Sequence, residues 1–515
     1  MQVYEEECEK KRKFKKGTYD TRKSSESQYF KCVEENIEQL EGVWDERFAQ
    51  SHGFWRTHVK KVINNYFDCG DLHYGFALIK CEDCDAEFLL PFSCKKRYFC
   101  PSCHQKRVIE FGEYLTEEIL EKVPHRQCVF SIPKRLRIFF KYNRKLLGKL
   151  SKCASDALSN YLREDVRAKN KEIDEDEKLT PGIVSSIQTY GDFINFNSHV
   201  HIIGTAGCYD SHNKFYKSTD IRITEIEKDF GKRVLKMLKK EGKISDEDIE
   251  NMDNWKHSGF NVYLGEVIDE DDTESMGNLA RYLIRAPISQ ERMKYISKKD
   301  SKDGEAKVIY TSKDGKSTEI IPALEFLARL ITHIPNKGEQ LVRYSGYYSN
   351  RSRGERKKEN GEETIKPTVK IESDSKKKFK RNWARLIQKI YEVDPLKCPK
   401  CNGQMKIVGF VEDAATIKKV LKKLNLWNVK NADPPDKNTP KNEKESIIEY
   451  CSITDFEYIK YENDNDKDGN ERGQIELLQM SGAVDILPNY EYEIEQLPNY
   501  DEYEIDQLPN YEDCF

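Results

Sequence analysis

His199 and His201 stand one residue apart in the stretch Asn197-Ser198-His199-Val200-His201-Ile202-Ile203. In an extended strand the two imidazoles face the same way, with Cα atoms roughly 6–7 Å apart, while Val200 and Ile202 turn to an apolar side. Two imidazoles so placed can reach one metal ion. Further along, Met276, Leu279, Ala280, Leu283 and Ile284 fall on one face of a helix. Asn278, Arg281, Tyr282 and Arg285 fall on the other, and Pro287 closes the segment. A tyrosine between two arginines is equipped to attack a phosphodiester: its oxygen bonds to phosphorus while the cations neutralise charge on the phosphoryl oxygens. Taken singly, a His-x-His pair is more often half-buried structure, and a helical tyrosine more often an amphipathic surface group. Their company in this chain shifts that balance.

The company includes cysteine. Cys81-Glu82-Asp83-Cys84 and Cys100-Pro101-Ser102-Cys103 are two CxxC knuckles separated by fifteen residues. That spacing is the four-cysteine zinc pattern, in which two tight turns each supply two thiolates to a tetrahedral ion. The expectation is therefore one Zn²⁺ shared by Cys81, Cys84, Cys100 and Cys103. Cys69, His73, Cys94 and His104 are surplus ligands that leave room for a second ion. Lys95, Lys96, Arg97, Lys106 and Arg107 flank the knuckles, with Tyr98 and Phe99 interleaved, a composition suited to a nucleic-acid backbone. A third knuckle, Cys398-Pro399-Lys400-Cys401, has no second pair nearby in sequence. It either completes a site with distant ligands or stands as a remnant.

The elements that must hold these groups read as an α+β arrangement. Val33, Ile37 and Leu40, then Phe54, Trp55, Val59, Val62, Ile63, Tyr66 and Phe67, are spaced as helices leading into the cysteines. Gln127-Cys128-Val129-Phe130-Ser131-Ile132-Pro133-Lys134 is an apolar strand ending at a proline, and residues 136–163 carry helical spacing. A charged loop at 164–179 precedes the strand Ile183–Tyr190 and the histidine strand, read as Phe193–Ile203. Phe260–Val267 is a further strand, and residues 323–350 give another helix, marked by Leu324, Phe326, Leu327, Leu330 and Ile331, and then Arg343-Tyr344-Ser345-Gly346-Tyr347-Tyr348, a segment with rival tyrosines. Adjacent strands of this kind pair antiparallel.

Composition bounds the class. With 515 residues the chain is long for one unit, and at 37% hydrophobic and 34% charged it has enough apolar material for a core beneath a heavily charged surface. Met1–Lys16 lacks the apolar segment of a signal peptide, and no run reaches the roughly 18 apolar residues of a membrane span. A cytoplasmic protein without membrane contact is expected, in which clustered cysteines point to metal rather than disulfides. The net charge of −4 hides an asymmetry: residues 485–515 hold ten acids and no Lys or Arg, so the remainder carries +6. That end repeats Leu-Pro-Asn-Tyr at 487, 497 and 508 between acidic spacers and is expected to be disordered.

Three stretches together resemble the transposases of rolling-circle insertion sequences, HUH-type nucleases with an N-terminal transposase zinc-binding domain. One runs from Cys69-Gly70, His73 and Gly75-Phe76-Ala77 to Phe92-Ser93-Cys94-Lys95 and Phe99-Cys100-Pro101-Ser102-Cys103. Another is the histidine strand with Leu279-Ala280-Arg281-Tyr282 and Pro287-Ile288-Ser289. The last runs from Trp383 to Cys398-Pro399-Lys400-Cys401, so the resemblance spans roughly residues 40–425. It implies a Rep-like domain, an antiparallel sheet flanked by helices, preceded by a helical and zinc-ribbon region. It implies that Tyr282 attacks a single-stranded DNA phosphate at a transposon end, forming a 5′-phosphotyrosine and freeing a 3′-hydroxyl, with Arg281 and Arg285 assisting. A Mg²⁺ or Mn²⁺ held by His199 and His201 would polarise the phosphate, with Gln188 or Asn278 as third ligand. Many relatives carry two tyrosines four residues apart; Asn278 occupies the earlier position here, which resembles a single-tyrosine branch. The resulting division is 1–64 helical, 65–115 zinc-binding, 120–350 catalytic, 351–382 a basic linker, 383–430 helical with the CPxC knuckle, and 431–515 an acidic tail. The competing functions are a DNA-binding protein that has lost catalysis and a metal phosphodiesterase without a covalent intermediate.

Overall fold

The computed structural model describes residues 24–218, 221–255, 257–359 and 396–427. The first part of the helical segment expected over 383–430, the linker beyond Glu359 and the acidic repeats lie outside the described residues. The described part is mixed α+β, with antiparallel sheets flanked by helices.

Its centre is a five-stranded antiparallel sheet in the order β12-β4-β5-β3-β8: Val342–Gly346, Gly182–Tyr190, Phe196–Thr205, His125–Ser131 and Asn261–Ile268. The histidine strand β5 is central, and from Ser198 to Thr205 every residue is buried, because both faces of the sheet are covered. One face, carrying Ile183, Ile187, Val200, Ile202, Cys128 and Phe130, packs against Leu146, Leu150, Ala154 and Leu158 of a long helix and Phe230, Val234 and Leu238 of another. These helices are Lys145–Lys169 and Ile223–Lys240. The opposite face, carrying Val184 and Ile203, meets the helix Pro101–Tyr114, here α3, through Val108 and Phe111. It also meets the tyrosine helix Thr273–Tyr282, here α6, through Leu279 and Ala280. The sheet thus presents its histidines to the layer that contains both the tyrosine and the cysteine-bearing helix.

Several boundaries differ from the sequence reading. The helix expected over 136–163 is two, Arg137–Tyr142 and Lys145–Lys169, broken at Asn143, whose ψ of 84° is not helical. The second helix runs six residues into the expected loop. The break sets Arg144 for a buried pair with Glu339 at 2.9 Å and a bond to the Thr332 carbonyl. The histidine strand begins at Phe196 rather than Phe193, because Phe193 and Ile194 take left-handed φ values of 51° and 62° in a tight turn. That strained turn is held from outside: Arg329 donates to the Phe193 carbonyl and the His333 ring bonds the Ile194 carbonyl at 2.9 Å. The tyrosine helix stops at Tyr282, not at Ala286.

Two further cores surround the centre. The helices Gln28–Arg47 and Thr57–Phe67, here α1 and α2, pack with the helix Ala323–Thr332 and with Val308 and Tyr310 of the small sheet β9-β10-β11. Those three strands are Met293–Ile296, Lys307–Thr311 and Thr318–Pro322. Phe99, one of the aromatics interleaved with the basic residues, is buried there between Tyr29 and Tyr66. The other core lies under a three-stranded sheet, β13-β1-β2, formed by Met405–Val411, Phe76–Cys81 and Glu87–Pro91. The 396–427 segment, expected to be helical, therefore contributes a strand and then the helix Ala414–Lys423. Its strand pairs with residues more than 300 positions earlier, Cys81 opposite Met405 and Phe76 opposite Val411. No helix among the described residues is long and apolar enough to cross a membrane.

Candidate functional site

The cysteines sort into two groups of four among the described residues: Cys69, Cys94, Cys100 and Cys103, and Cys81, Cys84, Cys398 and Cys401. This corrects the expected pairing of Cys81 and Cys84 with Cys100 and Cys103. The physical reason is the sheet: β1 and β2 carry the first knuckle away from α3, and β13 brings the CPxC knuckle to it. In the first group Cys69 lies 3.7 Å from Cys100 and from Cys103, and Cys94 3.6 Å from Cys103; in the second Cys81–Cys401 is 3.5 Å and Cys84–Cys398 3.6 Å, measured between Sγ atoms, with all ligand atoms of each group within 4.8 Å of one another. A tetrahedral Zn²⁺ with Zn–S near 2.3 Å has S···S edges of about 3.8 Å, so both groups fit the ion. His73 is not a ligand in either group; its Nδ1 lies 2.6 Å from Asp71 and its ring against Trp427. His104 is not a ligand either. The Tyr98 amide donates to its Nδ1 at 3.1 Å, so Nε2 carries the proton and donates to the Ile284 carbonyl at 2.7 Å.

Among the flanking cations, Lys95 and Arg97 are exposed and Lys96, Lys106 and Arg107 half-buried. Arg107 lies over Phe111, and burial, then the neighbouring Arg97, pushes its guanidinium down to about 10. A shift of that sign reflects burial beside a second cation, Arg97.

The histidine site is built on β5. Ser131 and Gln188 pair with His199, and Val129 and Ser186 with His201, so these side chains share the sheet face. The imidazole centroids are 4.9 Å apart. His199 Nδ1 donates to the Asn197 carbonyl at 2.8 Å, which leaves its Nε2 lone pair available. His201 Nε2 is buried and has no hydrogen-bond partner in the structure. Burial, with Arg285 and Arg137 adding, holds His199 down to about 4, and burial, His199 and Arg285 hold His201 well below its usual range. Both rings are neutral at neutral pH, the form that ligates metal.

Tyr282 reaches this site. Its half-buried ring stands edge-on to His201, centroids 5.5 Å apart, and the Arg285 guanidinium lies 4.8 Å from the Tyr282 ring centre. Arg281 departs from the expectation that both arginines serve the tyrosine. It bends back to the Gly277 carbonyl and Asn278 Oδ1, with its stem against Gly112 of α3. Gln188 lies beside His199, but its amide donates to the Leu283 carbonyl at 3.2 Å and accepts from Arg285 Nε at 3.4 Å. Gln127, which the sequence reading passed over, lies 3.4 Å from His201 Nδ1. A buried amide inside an apolar strand was the available signal. The rival tyrosines are partly accounted for: Tyr348 is fully buried with its hydroxyl 2.7 Å from His125 Nε2, and Tyr347 is stacked 3.7 Å from Tyr209.

Comparison with known proteins falls on the same two regions. A family described as "Transposase zinc-binding domain" matches residues 40–132, and one described as "Putative transposase" matches residues 182–356. Both regions are thus similar to transposases of the IS91/IS801 type with an N-terminal zinc-binding domain. The transposase for insertion sequence element IS801 of Pseudomonas savastanoi pv. phaseolicola is 25% identical over 339 residues, covering 60% of this chain and 75% of that protein. "Putative transposase y4qJ" of Sinorhizobium fredii (strain NBRC 101917 / NGR234) is 21% identical over 388 residues, covering 70% and 92%. No solved structure matches the chain. The histidines and Tyr282 lie within the second match, the first cysteine group within the first, and Cys398 and Cys401 beyond both.

Proposed function

We propose that this chain is a transposase that nicks single-stranded DNA at the ends of its element and transfers strands through a covalent link to Tyr282. The observation that carries the reading is the meeting of three groups at one sheet face: two neutral, metal-competent imidazoles, the Tyr282 ring against His201, and Arg285 over that ring. His199 and His201 would hold a Mg²⁺ or Mn²⁺: the Nδ1–H of His199 donates to Asn197 and leaves its Nε2 lone pair, and the buried, unpartnered Nε2 of His201 would supply another once Gln127 turns its amide oxygen to Nδ1 and the ring proton moves there. Such an ion, when bound, polarises a phosphate oxygen. Gln188 and Gln127 are the amides within reach of the pair.

The chain's own groups account for the remaining chemistry. Tyr282 Oη forms a bond to phosphorus as the P–O3′ bond breaks; the phenolic proton is given up and the leaving 3′-oxygen ends protonated. One phosphodiester is exchanged for another, so the bond energy is conserved for rejoining without ATP. Arg285 holds the phosphate and stabilises the phenolate, as a planar guanidinium does well. Arg97 and Arg107 on the cysteine module, with Lys95, Lys96 and Lys106, supply backbone contacts to the DNA. Asn278 stands one turn before Tyr282, so no second tyrosine on this helix takes over the transfer.

Incubation of the full chain with single-stranded DNA bearing the element ends and Mn²⁺, resolved on a denaturing gel, tests the reading. A covalent adduct mapping to Tyr282 and missing in Tyr282→Phe is expected. Nicking without an adduct indicates a phosphodiesterase, and binding without nicking indicates a DNA-binding protein alone.

A further inference from the structure

Because the tyrosine helix ends at Tyr282, the carbonyls just beyond it have no helical partners. Three side chains take them in turn. Gln188 of β4 donates to the Leu283 carbonyl at 3.2 Å, His104 of α3 to the Ile284 carbonyl at 2.7 Å, and Tyr190 of β4 to the Arg285 carbonyl at 2.6 Å. Two of these come from the strand beside the histidines. The third comes from the cysteine module and joins it directly to the nucleophile's segment.

His104 is itself fixed by the metal-binding turn. It follows Cys103 directly, its amide donates to the Cys100 carbonyl at 2.9 Å, and its ring is 1% exposed. The Tyr98 amide on Nδ1 sets the tautomer, so the proton faces Ile284. Further along α3, Val108 and Phe111, with Leu115 just past its end, share a core with Leu279, Ala280, Leu283 and Ile284. At Gly112 an added Cβ would fall 2.8 Å from Arg281 Cγ, so the two helices approach as closely as a glycine allows.

Resting on the covalent reading of Tyr282, we infer that His104 is a positioning residue: it ties the Cys69/Cys94/Cys100/Cys103 centre to the carbonyl of Ile284 and thereby sets the place of Tyr282 against the histidine pair. The first zinc-binding turn is in this sense part of the cleavage machinery as well as a fold staple. A nucleophile displaced by about 1 Å loses on the order of 100-fold in rate. The bond needs one N–H aimed at Ile284, which a glutamine amide can supply and a methionine of similar size cannot.

The test compares wild type, His104→Met and His104→Gln in single-turnover cleavage of end-bearing single-stranded DNA. Equilibrium DNA affinity, zinc content and hydrogen exchange over residues 283–288 are measured alongside. His104→Met is expected to form the Tyr282 adduct about 10- to 100-fold more slowly, with zinc content and DNA affinity unchanged and faster exchange at 283–288. His104→Gln is expected to restore most of the rate and the protection. If His104→Met loses zinc, Gly112→Ala makes the same test, because it presses on Arg281 without touching a cysteine; the same slowing at unchanged affinity is expected. Wild-type rates in these variants, a parallel fall of affinity and rate, or a His104→Gln no better than His104→Met would overturn the inference. Absence of a Tyr282 adduct from wild type would overturn the covalent reading, and the inference with it.

Discussion

Replacing Cys398 and Cys401 by serine should convert a two-zinc protein into a one-zinc protein and detach the 396–427 segment. The second cysteine group closes a loop of 314 residues between Cys84 and Cys398. On the chain-entropy relation for cross-links, that closure costs the unfolded chain about 6 kcal/mol. A structural Zn²⁺ binds with roughly 10–16 kcal/mol at neutral pH, enough to meet the closure cost with several kcal/mol left for ordering the segment. Without Cys398 and Cys401, the remaining Cys81 and Cys84 are half a site. What then holds the segment is the β13–β1 pairing and the burial of Met405, Ile417 and Leu421. Elemental analysis of wild type and the double variant, both purified under reducing conditions, gives the stoichiometry. Limited trypsin digestion reports the segment, since Lys406, Lys418, Lys419, Lys422 and Lys423 are within it. The expected outcome is two zinc falling to one, with early cleavage at those lysines. Retention of two zinc, or an unchanged digestion pattern, would refute the composite centre.

His199→Ala should abolish adduct formation with Mg²⁺ while single-stranded DNA affinity, measured by fluorescence polarisation, is largely kept, since phosphate contacts supply most of that affinity. Tyr348→Phe should keep the adduct but lower stability by about 1–3 kcal/mol, because the buried His125 ring and the Glu121 amide both lose their hydroxyl partner; denaturant midpoints and an adduct gel read both. Acid should unfold the protein early through His125 and His333. Burial, first of all, holds His125 down to about 4 and His333 down to about 3, where Arg144, Lys141 and Arg56 add; His125 itself faces the Tyr348 hydroxyl. Groups lowered from 6.5 contribute fully above that pH and lose their contribution as pH falls toward the folded values. Between pH 7 and 5 each therefore costs about 2 kcal/mol. Unfolding followed at the two pH values should show that loss, and a His125→Gln variant should lose less.

Much of the site was legible because its signals are local. The alternation of His199 and His201 against Val200 and Ile202 states strand and face together. Leu279, Ala280, Leu283 and Ile284 likewise mark the buried side of the segment that carries Tyr282. CxxC knuckles bind metal through turns only four residues long. Less legible were features set by which element lands next to which. Arg281 and Arg285 are equivalent on a helical wheel, yet α3 draws Arg281 away through Gly112, and the helix ends early enough for Arg285 to cover the tyrosine ring. Phe99 reads as one of the aromatics interleaved with basic residues until α1 and α2 enclose it.

The sequence by itself determined the ligand types, the histidine strand, the tyrosine and the family the whole resembles, because each depends on residues within a few positions of one another. Only the tertiary structure decided which cysteines share an ion. Fifteen residues of separation between two knuckles satisfy the zinc pattern as well as 314 do, since Zn²⁺ selects four thiolates at tetrahedral distance and is indifferent to the chain between them. The antiparallel pairing of β13 with β1, specified by side chains on both strands, brings Cys398 and Cys401 to Cys81 and Cys84. The same packing leaves Cys100 and Cys103 to Cys69 and Cys94, and turns His104 from a surplus ligand into a hydrogen-bond donor to the segment beyond Tyr282.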